Sequence, residues 1–252
     1  MSDFDRNIAA RAGGAERAVA IDAGLRAYMI RVYNYMAAGV ALTGVAAWAT
    51  FNAAVVTGPN GAITGLTSFG QTLYSGPVAI VLFLGTLGLV FFMSFRIDRL
   101  QPSTAMGLFM AYSALLGVML SSVFLTYTGA SITRVFFISA ASFGALSLYG
   151  YTTQRSLSAM GSFLMMGLIG LIIAMVVNIF LKSSGLDFII SAAGVLIFAG
   201  LTAWDTQKIK EMYDVNDDGT VASRKAIMGA LTLYLDFINL FLFMLRFLGD
   251  RR

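Results

Sequence analysis

The chain has 252 residues, of which 58% are hydrophobic and 12% charged, against about 25% charged in an ordinary soluble domain. So few charges cannot cover a water-soluble surface, so the apolar runs must face lipid or one another. The net charge of +4 is spread through short connections with no basic face interleaved with stacking aromatics, which speaks against nucleic-acid binding. Cys and His are both absent, which removes disulfides, thiolate metal sites and the commonest general base.

Residues 1–27 mix Asp, Glu and Arg and contain no apolar core, so they predict a cytoplasmic amino-terminal tail and not a cleavable signal peptide. The remainder, 28–252, is expected to be one transmembrane domain. Runs of about 20 apolar residues predict helices near 28–51, 76–95, 104–128, 132–152, 159–181, 186–207 and 226–247. The fold class is therefore an all-α membrane protein of seven transmembrane helices. Turn chemistry separates them at Gly58-Pro59-Asn60-Gly61, Gln101-Pro102-Ser103 and Ser183-Ser184-Gly185. The fifth run is interrupted only by Asn178, whereas the seventh carries Asp236 and Asn239 and is expected to hide from lipid.

The connection from about 52 to 75 has no charged residue. Those holding Arg96 with Arg99, Arg155, and Lys208 with Lys210, Arg224 and Lys225 alternate to the opposite side, which places the amino terminus in the cytoplasm. Seven crossings then leave Arg246, Arg251 and Arg252 outside. Either the seventh segment re-enters, or the bias of the earlier connections outweighs a short basic tail. Small residues four apart, Ala37 with Ala41, Ser113 with Gly117 and Ala140 with Gly144, predict helix-packing seams. Trp48, Tyr149, Tyr151 and Trp204 read as interfacial anchors, and Arg31 and Arg134 as anchors at helix entrances.

Asp236 has about ten apolar-dominated residues on either side, so it is expected near mid-membrane. A charge there costs about 2.5–3.5 kcal/mol on insertion scales, so the side chain should face the bundle interior, paired, protonated or wet. Asn239, three residues on, shares its helix face and suits a hydrogen bond or an ion. Asp205 closes the sixth run in AWDTQ, opposing the helix dipole, and reads either as interfacial or as a partner for Asp236. In antiparallel neighbours the two differ by about two turns in depth, a gap that tilt or unwinding would close. Two carboxylates together in low dielectric cannot both ionise freely and would share a proton. Ionised, Asp205 and Asp236 would suit a hard cation such as Ca²⁺. Arg96 directly follows FFMSF and, with Arg99, is the expected counter-charge.

Asp214, Asn216, Asp218 and Gly219 match the opening of an EF-hand loop, but Lys225 stands where the bidentate Glu belongs, so the segment reads as a polar turn. No cofactor is expected, Ca²⁺ entering only as a transported or transiently bound ion. An enzyme is not expected either. Two membrane aspartates would permit an intramembrane aspartyl protease, but the contexts AWDTQ and YLDFI lack its glycine pattern.

The stretches FGALSLYGYTTQRSLSAMGSFLMMGLIGLIIAMVVNIF, AWDTQKIKEMY and LTLYLDFINLFLFMLRFLG resemble the Bax inhibitor-1 family, and the resemblance runs from about residue 20 to the end. It implies seven helices with the last surrounded by the other six, and a proton-sensitive calcium leak. It also implies a pH-sensing pair at Asp205 and Asp236, bonded to an arginine that falls on Arg96 or Arg99. The leading expectation is thus a pH-gated calcium leak whose partners are lipids, Ca²⁺ and protons. The competing expectations are an interaction protein, such as a modulator of a membrane protease or of stress and cell death, and a proton-coupled transporter of a small solute.

Overall fold

A computed structural model describes the backbone of residues 3–58 and 62–252 and the side chains of 22–58 and 62–252. The side chains of residues 1–21 in the expected tail, and residues 59–61 of the first expected turn, lie outside the described residues. Among the described residues, seven helices are long and apolar enough to cross a membrane. They belong to α1 (Asp3–Ala54), α3 (Gly76–Arg96), α4 (Pro102–Leu120), α6 (Gly129–Thr152), α7 (Ser158–Leu181), α8 (Ser184–Glu211) and α9 (Gly219–Leu248). Short elements join them. A hairpin of β1 (Val55–Thr57) and β2 (Ile63–Leu66) leads into α2 (Ser68–Leu73), and α5 (Val123–Thr126) continues from α4. The chain is a multi-pass integral membrane protein.

Local chemistry sets the boundaries. Pro77 and Pro102 sit in the first turns of α3 and α4, where their missing N–H costs nothing. Near the end of α7, Asn178 accepts from the Ser183 amide just past Lys182, which takes a left-handed conformation to end the helix. Ser183 then caps α8, and Asp218 caps α9 by accepting from the Thr220 and Val221 amides. Helix α1 passes residue 28 without a break, so the boundary between tail and membrane domain is one of composition.

Burial ranks the helices by role. In the most apolar stretch of α9, 67% of residues are buried inside the protein, against 11% in α3 and in α7. Polar α9 is therefore the central helix, and the uniformly apolar helices face lipid. Along α9 pack α1, α4, α6 and α8, while α3 packs chiefly on α4 and α7 on α8. The ring around α9 is thus thin between α3 and α7.

The last segment does not re-enter. Its 30 residues span about 45 Å, and Arg246 near its end pairs with Asp187 in the first turn of α8. Beyond it, Asp250 accepts from the Thr128 amide and donates its own N–H to Ser131 at the start of α6.

Candidate functional site

The register of α8 against α9 makes the site. Glycines let the two helices approach: Gly229 lies against Ile209 and Gly194 against Phe243, with Phe243 stacked on Phe198. In that antiparallel register α9 begins about three turns beyond the Gly229–Ile209 crossing. This overhang closes the depth gap, and Asp205 and Asp236 meet without unwinding of either helix.

Asp205 is 8% and Asp236 5% exposed, and their carboxyl groups lie within hydrogen-bonding reach of each other. Two ionised carboxylates have no proton to offer. In that state the buried Asp236 Oδ2 has no hydrogen-bond partner among the described residues; one proton between the two supplies the missing donor.

Hydroxyl groups brace the pair from both sides. Beside Asp205, Thr206 donates to the Thr202 carbonyl (2.7 Å) and so accepts from Ser147 (2.9 Å), which in turn accepts from Tyr33, linking α8, α6 and α1. One residue further, the Gln207 side chain accepts from the Leu157 amide (2.7 Å) and donates to the Arg155 carbonyl (2.9 Å), tying the α6–α7 connection to α8. Beside Asp236, Tyr234 reaches Thr43 of α1.

Both aspartates line a cavity of about 770 Å³ bounded by α3, α7, α8 and α9. It extends from Ser94 and Met228 to Tyr127 and Arg246. Along α9, Met228 to Arg246 is about 27 Å, close to the ~30 Å of a hydrocarbon core. Asn239 and Thr232 add polar groups to its wall.

Three sequence expectations need correction. Arg96 and Arg99 are exposed, and among the described residues neither forms an ion pair with the aspartates. The reason is packing: the chain buries Met93 and Ile97 at this end of α3, which turns the arginine heads outward to the interface. The cation whose charge reaches Asp205 is Lys208 of the same helix, exposed, with its ammonium 5.1 Å from the Trp204 ring centre. Asn239 lines the cavity but donates to the Leu235 carbonyl (2.8 Å), not to Asp236. Of the seams, Ala37 and Ala41 are exposed, and α1 packs instead through Val32, Met36, Gly39 and Thr43.

The polar loop behaves as a turn. Asp214 Oδ1 accepts from the backbone and side-chain nitrogens of Asn216 (2.9 Å each), which holds its carboxyl below the usual carboxylate range, while Asp217 pairs with Lys225. Among the described residues, no three acidic groups gather as a metal cage. Any hard cation at Asp205 and Asp236 would complete its shell of six to eight oxygens with water and neighbouring carbonyls.

Sequence reading missed Tyr234, Thr43, Ser147, Thr206 and Gln207. Hydroxyls and an amide at isolated positions in apolar runs were the available signal.

Residues 25–252 match the family model described as inhibitor of apoptosis-promoting Bax1. The chain is 52% identical over 231 residues to a protein of Rickettsia prowazekii, covering 92% of each. It is 45% identical over 233 residues to the inner membrane protein YbhL of Escherichia coli, covering 91% of this chain and 94% of that one. A protein of Caulobacter vibrioides is 43% identical over 259 residues, covering all of both chains. This seven-helix membrane protein, with its buried aspartate pair on the last two helices, belongs to the Bax inhibitor-1 family.

Proposed function

We propose that the protein is a pH-sensitive cation leak, carrying Ca²⁺, in which the Asp205–Asp236 pair is the gate. The observation that supports this reading is the pair itself, two buried carboxyls facing each other on the wall of a cavity that follows α9 for about the thickness of a hydrocarbon core. Sharing one proton, the pair ties α8 to α9. Removing that proton sets two like charges against each other in low dielectric, and a second proton removes the last negative charge that attracts a cation. Each step alters both the tie and the field along the pathway. No catalytic step is called for.

In this reading the amino terminus faces the cytoplasm of a bacterial inner membrane. The end of the bundle that carries Arg96, Arg99, Arg155, Lys208, Lys210, Arg224 and Lys225 is the more basic one, as the positive-inside rule requires.

The test is calcium flux into liposomes holding the purified protein, measured across a pH series. Flux should vary with pH, and Asp205→Asn and Asp236→Asn should each flatten the profile. A pH dependence that survives in both variants would overturn the mechanism, and absence of flux at every pH would overturn the activity.

A further inference from the structure

The cavity wall is apolar except at a few places, and its side toward lipid is open. Helix α3 packs on α4 and α7 on α8, leaving the cavity between them. Met165 and Ile172 of α7 line it while 43% and 49% exposed, so they stand at a mouth that faces the hydrocarbon. Its volume of about 770 Å³ lies within the ~300–1,000 Å³ of small-molecule sites. Arg246, at the far end, is taken up by Asp187. The polar side chains of the wall are thus Asp205, Asp236, Asn239 and Thr232, with Ser94 and Tyr127 toward its two ends, and the buried Asp236 Oδ2 finds its donor only in the proton shared with Asp205.

An acyl chain would fill such a space but leave the single negative charge of the proton-sharing pair uncompensated in low dielectric. A phospholipid headgroup would have to bring its phosphate beside two carboxyls. An ammonium on an apolar body meets both demands, because its charge offsets that of the pair and its N–H donates to Asp236 Oδ2 in place of the shared proton, while the body covers Met165, Leu168 and Phe198.

We propose that this cavity is a binding site for amphipathic organic amines, which reach it from the lipid between α3 and α7 and place a protonated nitrogen between Asp205 and Asp236. The ammonium displaces the shared proton, which leaves to water, so the site carries one net negative charge both before and after. The site is the aspartate pair of the proposed leak, but occupancy requires no passage of ions.

The test uses the full chain in lipid nanodiscs without calcium, with equilibrium dialysis against N,N-dimethyl-2-naphthylmethylamine and subtraction of empty nanodiscs. The tertiary amine should bind saturably, one per chain. Its trimethylammonium analogue keeps the charge but has no N–H, and should bind about tenfold more weakly, as should the neutral 2-ethylnaphthalene. Asp236→Asn should lose affinity by at least about tenfold. Met165→Trp, which fills the mouth and leaves the carboxyls untouched, should reduce binding as well and decides the matter if the aspartate variant does not fold. Equal binding of all three probes, or unchanged binding in Met165→Trp, would overturn the proposal. Amine binding without calcium flux would sink only the leak; flux without amine binding would sink only this site.

Discussion

The Tyr234 hydroxyl of α9 lies 2.6 Å from the Thr43 hydroxyl of α1, two residues before Asp236. Thr43 directs its own proton to the carbonyls of Ser113 (2.9 Å) and Gly39 (3.0 Å), so Tyr234 is the donor. Phe109 and Tyr112 of α4 meet its ring edge to face. One side chain therefore fixes the position of α9 against α1 and α4, and fully buried Tyr234 has no slack around it.

Removing only that hydroxyl should be mild. Tyr234→Phe should cost about 1 kcal/mol, since Thr43 keeps both carbonyl partners. Tyr234→Ala should cost about 3–5 kcal/mol by opening a cavity at the crossing of three helices. Chemical denaturation in mixed micelles measures both. Equal losses for the two variants would show that the hydrogen bond, not the ring, holds the crossing.

The aspartate pair predicts an unusual ranking of substitutions. Asp236→Asn brings an amide whose N–H₂ donates to Asp205, replacing the shared proton with a permanent donor. Its thermal midpoint at neutral pH should equal or exceed that of the native chain. Asp205→Ala leaves Asp236 buried with no carboxyl opposite it, and should lower the midpoint by several degrees. Tryptophan fluorescence on heating reads both. An Asn variant as unstable as the Ala variant would mean that the two carboxyls do not share a proton.

Asp214 supplies a control for any pH effect. Its carboxyl is held below the usual value by hydrogen bonds from Asn216. A depressed folded-state pKa gives stabilisation that is fully present above the unfolded pKa, about 3.9, and is lost as pH falls through the lower folded value. The α8–α9 turn should therefore be constant from pH 8 to about 5 and loosen only in stronger acid. Amide exchange at Asn216 tests this. Correspondingly, Asp214→Ala should leave the pH profile of calcium flux unshifted; a shifted profile would assign the pH response to this turn.

Much of the architecture was legible because its signals are one-dimensional. A run such as GSFLMMGLIGLIIAMVV can only be a lipid-facing helix, and an aspartate within LYLDFINLF can only point inward. The pairing of Asp236 with Asp205 was harder, because residue counts put them two turns apart. The answer lay in the overhang of α9, which depends on Gly229 seating on Ile209. The arginine partner was misread for a related reason. Depth along α3 says nothing of azimuth, and Met93 and Ile97 take the inward face. The basic carboxyl end, which strains the positive-inside rule, is eased by tertiary pairing: Arg246 and Arg251 share Asp187, and Arg134 holds Asp250. The hairpin at Val55–Leu66 left no signal stronger than its turn residues.

Small-residue spacing had mixed value, and the glycines show why. At Gly117 an added β-carbon would lie 2.5 Å from the Thr43 carbonyl oxygen, so the Ser113–Gly117 seam is a true contact of α4 with α1. Gly144 has nothing within 4 Å of such a carbon and lines a cleft between α6 and α1, so its spacing from Ala140 is not a close approach. Gly150, which no four-residue motif flagged, would run into the Ala203 carbonyl of α8, two residues before Asp205. Gly150→Ala must therefore push α6 from α8, at a cost of about 1–3 kcal/mol. It should also disturb the Ser147–Thr206 hydrogen bond one turn away. Gly144→Ala should be neutral or slightly stabilising, since alanine is the better helix former. Denaturation of the two variants side by side tests the contrast, and a tolerated Gly150→Ala would mean that α6 and α8 are not in close backbone contact beside the aspartate pair.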